Sequence, residues 1–306
     1  MNNLMLYATT VLIWGSTWLA ITYQLGAVAP LASVGYRFLL AALLLLTYCV
    51  VRGKRLRFSP REHLFIALQG ALLFGLNYWL FYLTTGQLTS GLVAVIFSTV
   101  VFMNIVNGRL WLGRPVQPHV VLAALLGLGG ILLVFWPEVS RSPGADTLGA
   151  LLLGLLATYS ASLGNILSAR NQSRGLPVLQ SNAFGMAYGG GLMLLMALLS
   201  DTPLAIDWRL PYLGSLLYLA LFGSIIAFGC YLTLIGRIGA DRAAYASLLF
   251  PVVALQLSVW FEDYQWSPLS LLGLALVLLG NLLILTPPSR LHRWLGRPPV
   301  GVPQRS

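Results

Sequence analysis

Charge is what this sequence has least of. Only 8% of its 306 residues are Asp, Glu, Lys or Arg, while 58% are hydrophobic and the mean hydropathy is +0.82. Soluble domains carry roughly 25% charged residues, so a chain this poor in charge cannot clothe a water-facing surface. Cysteine is nearly absent too. Cys49 and Cys230 both lie in apolar stretches, where a thiol behaves as a small hydrophobe, which excludes a disulfide framework or a thiolate metal centre. His63, His119 and His292 are scattered and form no ligand cluster, so neither a metal nor any other cofactor is expected. Acids are missing from the middle of every apolar segment. That removes the intramembrane carboxylate relay of many ion-driven carriers.

What is present is a succession of long apolar runs. A span needs roughly 20 apolar residues, and hydropathy places candidates near 4–23, 30–51, 63–83, 89–110, 118–136, 147–169, 178–199, 211–235, 241–261 and 267–285. Gly, Pro and charged residues punctuate the joins. The fold class expected is an all-α integral membrane protein of ten transmembrane helices.

The formal charge of +10 resembles a nucleic-acid signal, but the basic residues sit at segment ends and make no basic stripe, so no nucleic-acid partner is expected. Instead they set orientation. With the N-terminus in the cytoplasm, the inside loops hold Arg52, Lys54, Arg55, Arg57 and Arg61, then Arg109 and Arg114, Arg170 and Arg174, and Arg237 and Arg242. The tail adds Arg290, Arg293, Arg297 and Arg305, while only Arg141 and Arg209 fall outside. A multi-pass protein of a bacterial inner (plasma) membrane with both termini cytoplasmic is expected. Residues 286–306, rich in Pro and Arg, read as a flexible basic tail near anionic headgroups. Ala27-Val28-Ala29 has the form of a signal-peptidase site, but no basic residue precedes the first apolar run and Pro30 follows the cut. The first segment is therefore read as a span.

At a lag of 150 residues, Gly86 matches Gly236, Ala94 matches Ala244, Pro118 matches Pro268, Gly130 matches Gly280 and Pro137 matches Pro287. Coincident Gly and Pro carry weight because each fixes a backbone feature. The lag contains five spans, an odd number, so the second half crosses in the opposite sense. Residues 1–136 and 137–285 are thus expected to be two inverted five-helix repeats, the plan of many secondary transporters, with a substrate site between the halves.

Trp14-Gly15-Ser16-Thr17-Trp18, Arg37-Phe38-Leu39-Leu40-Ala41-Ala42, Pro251 with Glu262, and Leu271-Leu272-Gly273 through Gly280 together resemble the motifs of the drug/metabolite transporter superfamily, in its EamA-domain branch of ten-helix bacterial exporters. The resemblance runs over both halves. It departs from the pattern in the first half, where Val101 and Leu112 stand opposite Pro251 and Glu262. It implies a transporter, not an enzyme, with a central cavity lined by aromatic residues.

The candidate cavity residues are Trp14, Tyr78, Tyr82, Tyr159 and Phe228, with Asn77, Ser98 and Gln256 as polar contacts. Aromatic rings offer stacking and cation–π contacts to an amphipathic solute. Each could equally be packing, and the polar groups could be glue between helices. Arg37 lies seven residues, or about 10 Å, into the second span. It reads either as a structural charge tied to helix ends or as an anchor for a substrate anion, and its place in the family motif favours the structural role. Pro251 is a candidate helix bend or gate, from the family's mid-helix proline. Glu262 is either a coupling acid or a solvated helix end. Gly185-x-x-x-Gly189 permits close helix approach, within one chain or in a homodimer.

The function expected is export of small organic metabolites, amino acids or related amphipathic compounds, by alternating access. The alternatives are a carrier of another solute class (sugar or nucleotide-sugar) and an integral membrane enzyme acting on lipid-linked substrates. The partners are a small-molecule substrate and the lipid bilayer.

Overall fold

In a computed structural model of the protein, the described residues are 1–113, 118–141, 145–238, 246 and 249–286. Their regular elements are helices joined by short loops, with no strand among the described residues. In chain order the helices are α1 (Asn3–Thr22), α2 (Pro30–Val51), α3 (Pro60–Thr85), α4 (Ser90–Trp111), α5 (Pro118–Arg141), α6 (Ala145–Ser173) and α7 (Val178–Leu199). Next comes α8, built from Leu210–Tyr218, Leu219–Ile226 and Ala227–Ile238, and then α9 (Phe250–Phe261) and α10 (Pro268–Leu285). Among the described residues, seven helices are long and apolar enough to cross a membrane, and three shorter apolar stretches lie in α5, α9 and α10. The part of the expected ninth span in 241–245 and 247–248, and the tail 287–306, lie outside the described residues.

The local sequence starts these helices by familiar chemistry. Ser59 and Glu62 form a reciprocal capping box at α3, Ser267 and Ser270 do the same at α10, and Asn2 caps α1 through Met5 N–H. Prolines 30, 60 and 268 sit in first turns, where the missing N–H costs no hydrogen bond. Pro118 and Pro268, the lag-150 pair, each open a helix. Pro137 lies inside α5, which runs on to Arg141.

Glycines let backbones touch. A Cβ on Gly70 would overlap the Gly185 carbonyl, so α3 and α7 pack backbone to backbone. Likewise a Cβ on Gly130 would come within 2.6 Å of the Gly273 carbonyl where α5 meets α10. Gly185 and Gly189 are therefore both used within the chain, against α3. The outer surface is apolar: Leu43, Val51, Leu132 and Leu199 are all exposed, as a surface bathed in lipid tails requires.

Two interruptions shape the interior. The third turn of α3 gives way to a π-helical segment at Ala71–Leu76, and α8 does the same at Leu219–Ile226. Each carries Leu-Phe-Gly, at 73–75 and at 221–223. In π segments the bonds step five residues instead of four: Asn77 N–H reaches the Leu72 carbonyl and Ala227 N–H reaches that of Phe222. Such segments widen the helix and recur at functional sites. A third break falls in α4 at Ser98 and Thr99, whose hydroxyls donate back to the Val95 and Ile96 carbonyls. That back-bonding competes with the helix ladder and bends it.

Candidate functional site: an aromatic seam beside a buried cation

The π segments matter because other helices grip them. Trp14 Nε1 on α1 donates to the Gly223 carbonyl of α8 at 3.0 Å. Ser160 Oγ on α6 donates to the Leu72 carbonyl of α3 at 2.9 Å. Each half thus holds the other half's π segment through one side-chain hydrogen bond. Ser16 Oγ adds a bond to the Tyr218 hydroxyl at 2.7 Å.

From this grip a continuous line of rings runs through the interior. Trp14 meets Phe228, Tyr231 and Phe250 at centroid distances of 5.0, 5.2 and 5.6 Å. Phe228 touches Phe74 at 6.4 Å, Phe74 touches Phe38 at 5.5 Å, and Phe38 touches Tyr78 at 4.7 Å. The angles are edge-on or tilted, as ring quadrupoles prefer. Helices α1, α2 and α3 supply one part of this seam, and α8 and α9 the other.

The seam ends on Arg37. Its guanidinium carbon stands 4.5 Å from the Tyr78 ring centroid and 4.9 Å from that of Phe38. The residue is only 1% exposed, yet neither Nε nor Nη1 has a hydrogen-bond partner. The fully buried Tyr82 hydroxyl lies close enough to the Arg37 guanidinium to interact with it, but makes no well-formed hydrogen bond. Asn77, just past the π segment of α3, is buried with an unpaired Oδ1.

Glu262 is the opposite case. Its two carboxylate oxygens accept from the Ser90 N–H at 3.0 and 3.1 Å, and the hydroxyls of Ser90 and Ser258 also donate to it. The Ser258 hydroxyl in turn accepts from Gly91 N–H at 2.8 Å. The acid at the end of α9 thus caps the start of α4, whose own N-cap residue, Thr89, makes no side-chain cap bond. A carboxylate there satisfies orphan amides and the helix dipole together.

The sequence-derived candidates divide. Trp14, Phe228 and Tyr78 share the seam, and Tyr82 lies beside Arg37. Tyr159 on α6 is 41% exposed and joins no ring cluster. Ser98 instead lines a small pocket between α4, α5 and α10 with Thr99, Phe102, Gly127 and Asn281. Gln256 on α9 is half-buried, with no hydrogen bond among the described residues. Pro251, expected in mid-helix, is the second residue of α9 as described, where it needs no N–H partner. Phe38 and Phe250 entered the seam without having been cavity candidates, whereas Phe74 shares a helix face with Tyr78 and Tyr231 pairs with Phe228 on α8. The signal available for Phe38 was its neighbour, since it follows Arg37.

The profile of the EamA-like transporter family matches residues 2–136 and again 148–286. The chain belongs to the EamA-like transporter family. Among its relatives, the Escherichia coli K12 "Uncharacterized inner membrane transporter YedA" is 29% identical, over 89% of this chain and 87% of that one. The Bacillus subtilis "Uncharacterized transporter YoaV" is 25% identical, covering 90% and 91%. "Protein PagO" of Salmonella typhimurium is 26% identical, covering 92% and 91%. A solved crystal structure aligns at a TM-score of 0.67 with 19% identity, over 95% of this chain and 97% of that one, a likeness in fold alone. The family and the relatives YedA and YoaV are named as transporters, YedA of an inner membrane, and this EamA-like protein is a multi-pass membrane transporter.

Proposed function

We propose that this EamA-like transporter exports amino acids or related amphipathic small molecules by alternating access, between two inverted five-helix repeats (1–136 and 137–285) of a ten-span protein. The observation that carries the reading is the seam: seven rings linked by successive contacts, drawn from α1, α2 and α3 on one side and α8 and α9 on the other. Rings in mutual contact can part and re-close on an apolar side chain, exchanging ring–ring contact for ring–solute contact. The crossed hydrogen bonds, Trp14 to Gly223 and Ser160 to Leu72, support a hinge at each π segment about which the halves rock. The twofold match of the family profile supports the repeat.

The test is counterflow in liposomes holding purified protein, against labelled amino acids, sugars, a nucleotide-sugar and cationic drugs, with and without a pH gradient. Aromatic and branched amino acids should exchange. Exchange confined to sugars or nucleotide-sugars would replace the proposed substrate class with the other carrier reading.

Orientation needs a separate assay. Asn171 of the Asn171-Gln172-Ser173 sequon is buried, its amide engaged by Gln69 and the Phe65 carbonyl, so failed glycosylation there would say little about sidedness. Cys49 and Cys230 are buried, so an impermeant thiol reagent reports only on introduced cysteines. With both termini cytoplasmic, Gln265→Cys labels in cells with a permeabilised outer membrane, and Lys54→Cys labels only after the inner membrane is disrupted. The reverse pattern would invert the assignment.

A further inference from the structure

Arg37 is a buried cation that the protein leaves unanswered. Among the described residues the only ion pair is Asp207 with Arg209, and no carboxylate or carbonyl accepts from Arg37 Nε or Nη1. The faces of Tyr78 and Phe38 attract the charge, but they do not offer lone pairs to a group with five N–H donors. A buried guanidinium whose Nε and Nη1 donors lack an acceptor is costly to hold inside a membrane protein. A structural arginine would be tied to helix-end carbonyls. This one is not.

Its surroundings point the same way. The Tyr82 hydroxyl, a second potential donor, is fully buried beside the guanidinium and makes no well-formed hydrogen bond with it or with any other group. Across from it α8 presents Gly223, where a Cβ would come to 3.5 Å from Arg37 Nη2 and 2.9 Å from Thr17 Cγ2. The residue with no side chain thus stands where the two halves meet the charge. The aromatic seam runs directly up to this point through Phe38 and Tyr78.

We propose that Arg37 and Tyr82 form a site for one compact anion, filled by the carboxylate of the transported solute while its apolar part lies along the seam. The proposal rests on the transport reading above and deepens it, because it requires the solute to be an acid. A planar guanidinium takes a carboxylate bidentately with charge-assisted hydrogen bonds, and the Tyr82 hydroxyl donates a further one. The unpaired guanidinium N–H groups and the Tyr82 hydroxyl then find their acceptors in one event. The site is closed in this conformation, so the anion enters when α8 moves away from α2 and α3.

The experiment is thermal unfolding of the purified full-length protein in detergent with four probes: phenylalanine, its uncharged-carboxamide analogue phenylalaninamide, sodium chloride, and sodium isethionate, a sulfonate, as ionic-strength control. Phenylalanine should protect at concentrations about ten- to a hundredfold lower than its amide. Arg37→Gln should level that difference, and Tyr82→Phe should weaken protection by the acid several-fold. If Arg37→Gln fails to fold, the wild-type comparison of acid with amide and the Tyr82→Phe variant still decide. Equal protection by acid and amide overturns the anion site and leaves the amphipathic-solute reading standing. Protection by chloride alone, lost in Arg37→Gln, keeps the anion site and removes both the carboxylate assignment and the amino-acid reading. No protection by any anion overturns the site altogether.

Discussion

Arg37 and Glu262 are two charges of this transporter that lie against its helices, and the protein treats them in contrary ways. Glu262 is surrounded by donors from α4 and α9, the Ser90 amide and the hydroxyls of Ser90 and Ser258. Arg37 has rings around it and no acceptor at Nε or Nη1. Since burying a charge is costly, a chain that saturates one and starves another is using them differently. Glu262 joins helices. Arg37 waits for something the chain does not supply.

Variants can break or sharpen that contrast. The largest effect is expected for Glu262→Ala, which strips the cap from α4 and strands the Ser90 amide. A loss of roughly 2–4 kcal/mol is expected, read as a lower thermal midpoint in micelles. Ser258→Ala removes the hydroxyl that both donates to Glu262 and accepts from Gly91. It should cost about 1–2 kcal/mol, and the double variant should cost less than the sum of the two singles, because the groups share one network. Strict additivity would contradict the latch.

On the Arg37 side the changes should appear in transport. Trp14→Phe keeps a ring against Phe228 but loses the N–H that holds the Gly223 carbonyl. About 1 kcal/mol is expected, a several-fold loss in apparent affinity or rate with folded yield retained. Ser160→Ala removes the reciprocal bond to Leu72 and should act in the same direction, although Ser160 touches no ring of the seam. The smallest effect belongs to Tyr159→Ala. Its ring is exposed and outside the seam, so stability should stay within about 0.5 kcal/mol and transport should be unchanged. A large transport loss there would move the site toward α6.

Much of the membrane character was legible because it is written in composition. Charge confined to segment ends marks where helices stop, and Pro118 and Pro268 begin α5 and α10 as the repeat suggested. The π segments were not legible. A hydrogen bond that steps five residues instead of four leaves no mark in hydropathy. The recurring Leu-Phe-Gly falls at a spacing of 148, slightly off the lag of 150 that aligned the other glycines and prolines. Site residues were readable only in part, because residue type does not fix how far a helix is rotated. Trp14 and Phe228 meet, while Ser98 bends α4 and lines a different pocket. Glu262 had a readable partner in Ser258, four residues back on the same helical face. Ser90 comes from the other half and could be found only in three dimensions.

The most direct measurement compares two neutral replacements of similar size, Glu262→Gln and Arg37→Met, by thermal unfolding of the unliganded protein in the same detergent. Replacing a satisfied charge forfeits its hydrogen bonds, whereas replacing an unpaired buried one removes a desolvation cost. The account predicts that Glu262→Gln lowers the midpoint clearly, by roughly 1–3 kcal/mol in stability. Arg37→Met should leave the midpoint unchanged or raise it, and should abolish protection by phenylalanine. If Arg37→Met is the more destabilising of the two, the arginine is a structural tie after all, and its role as an anion site is contradicted.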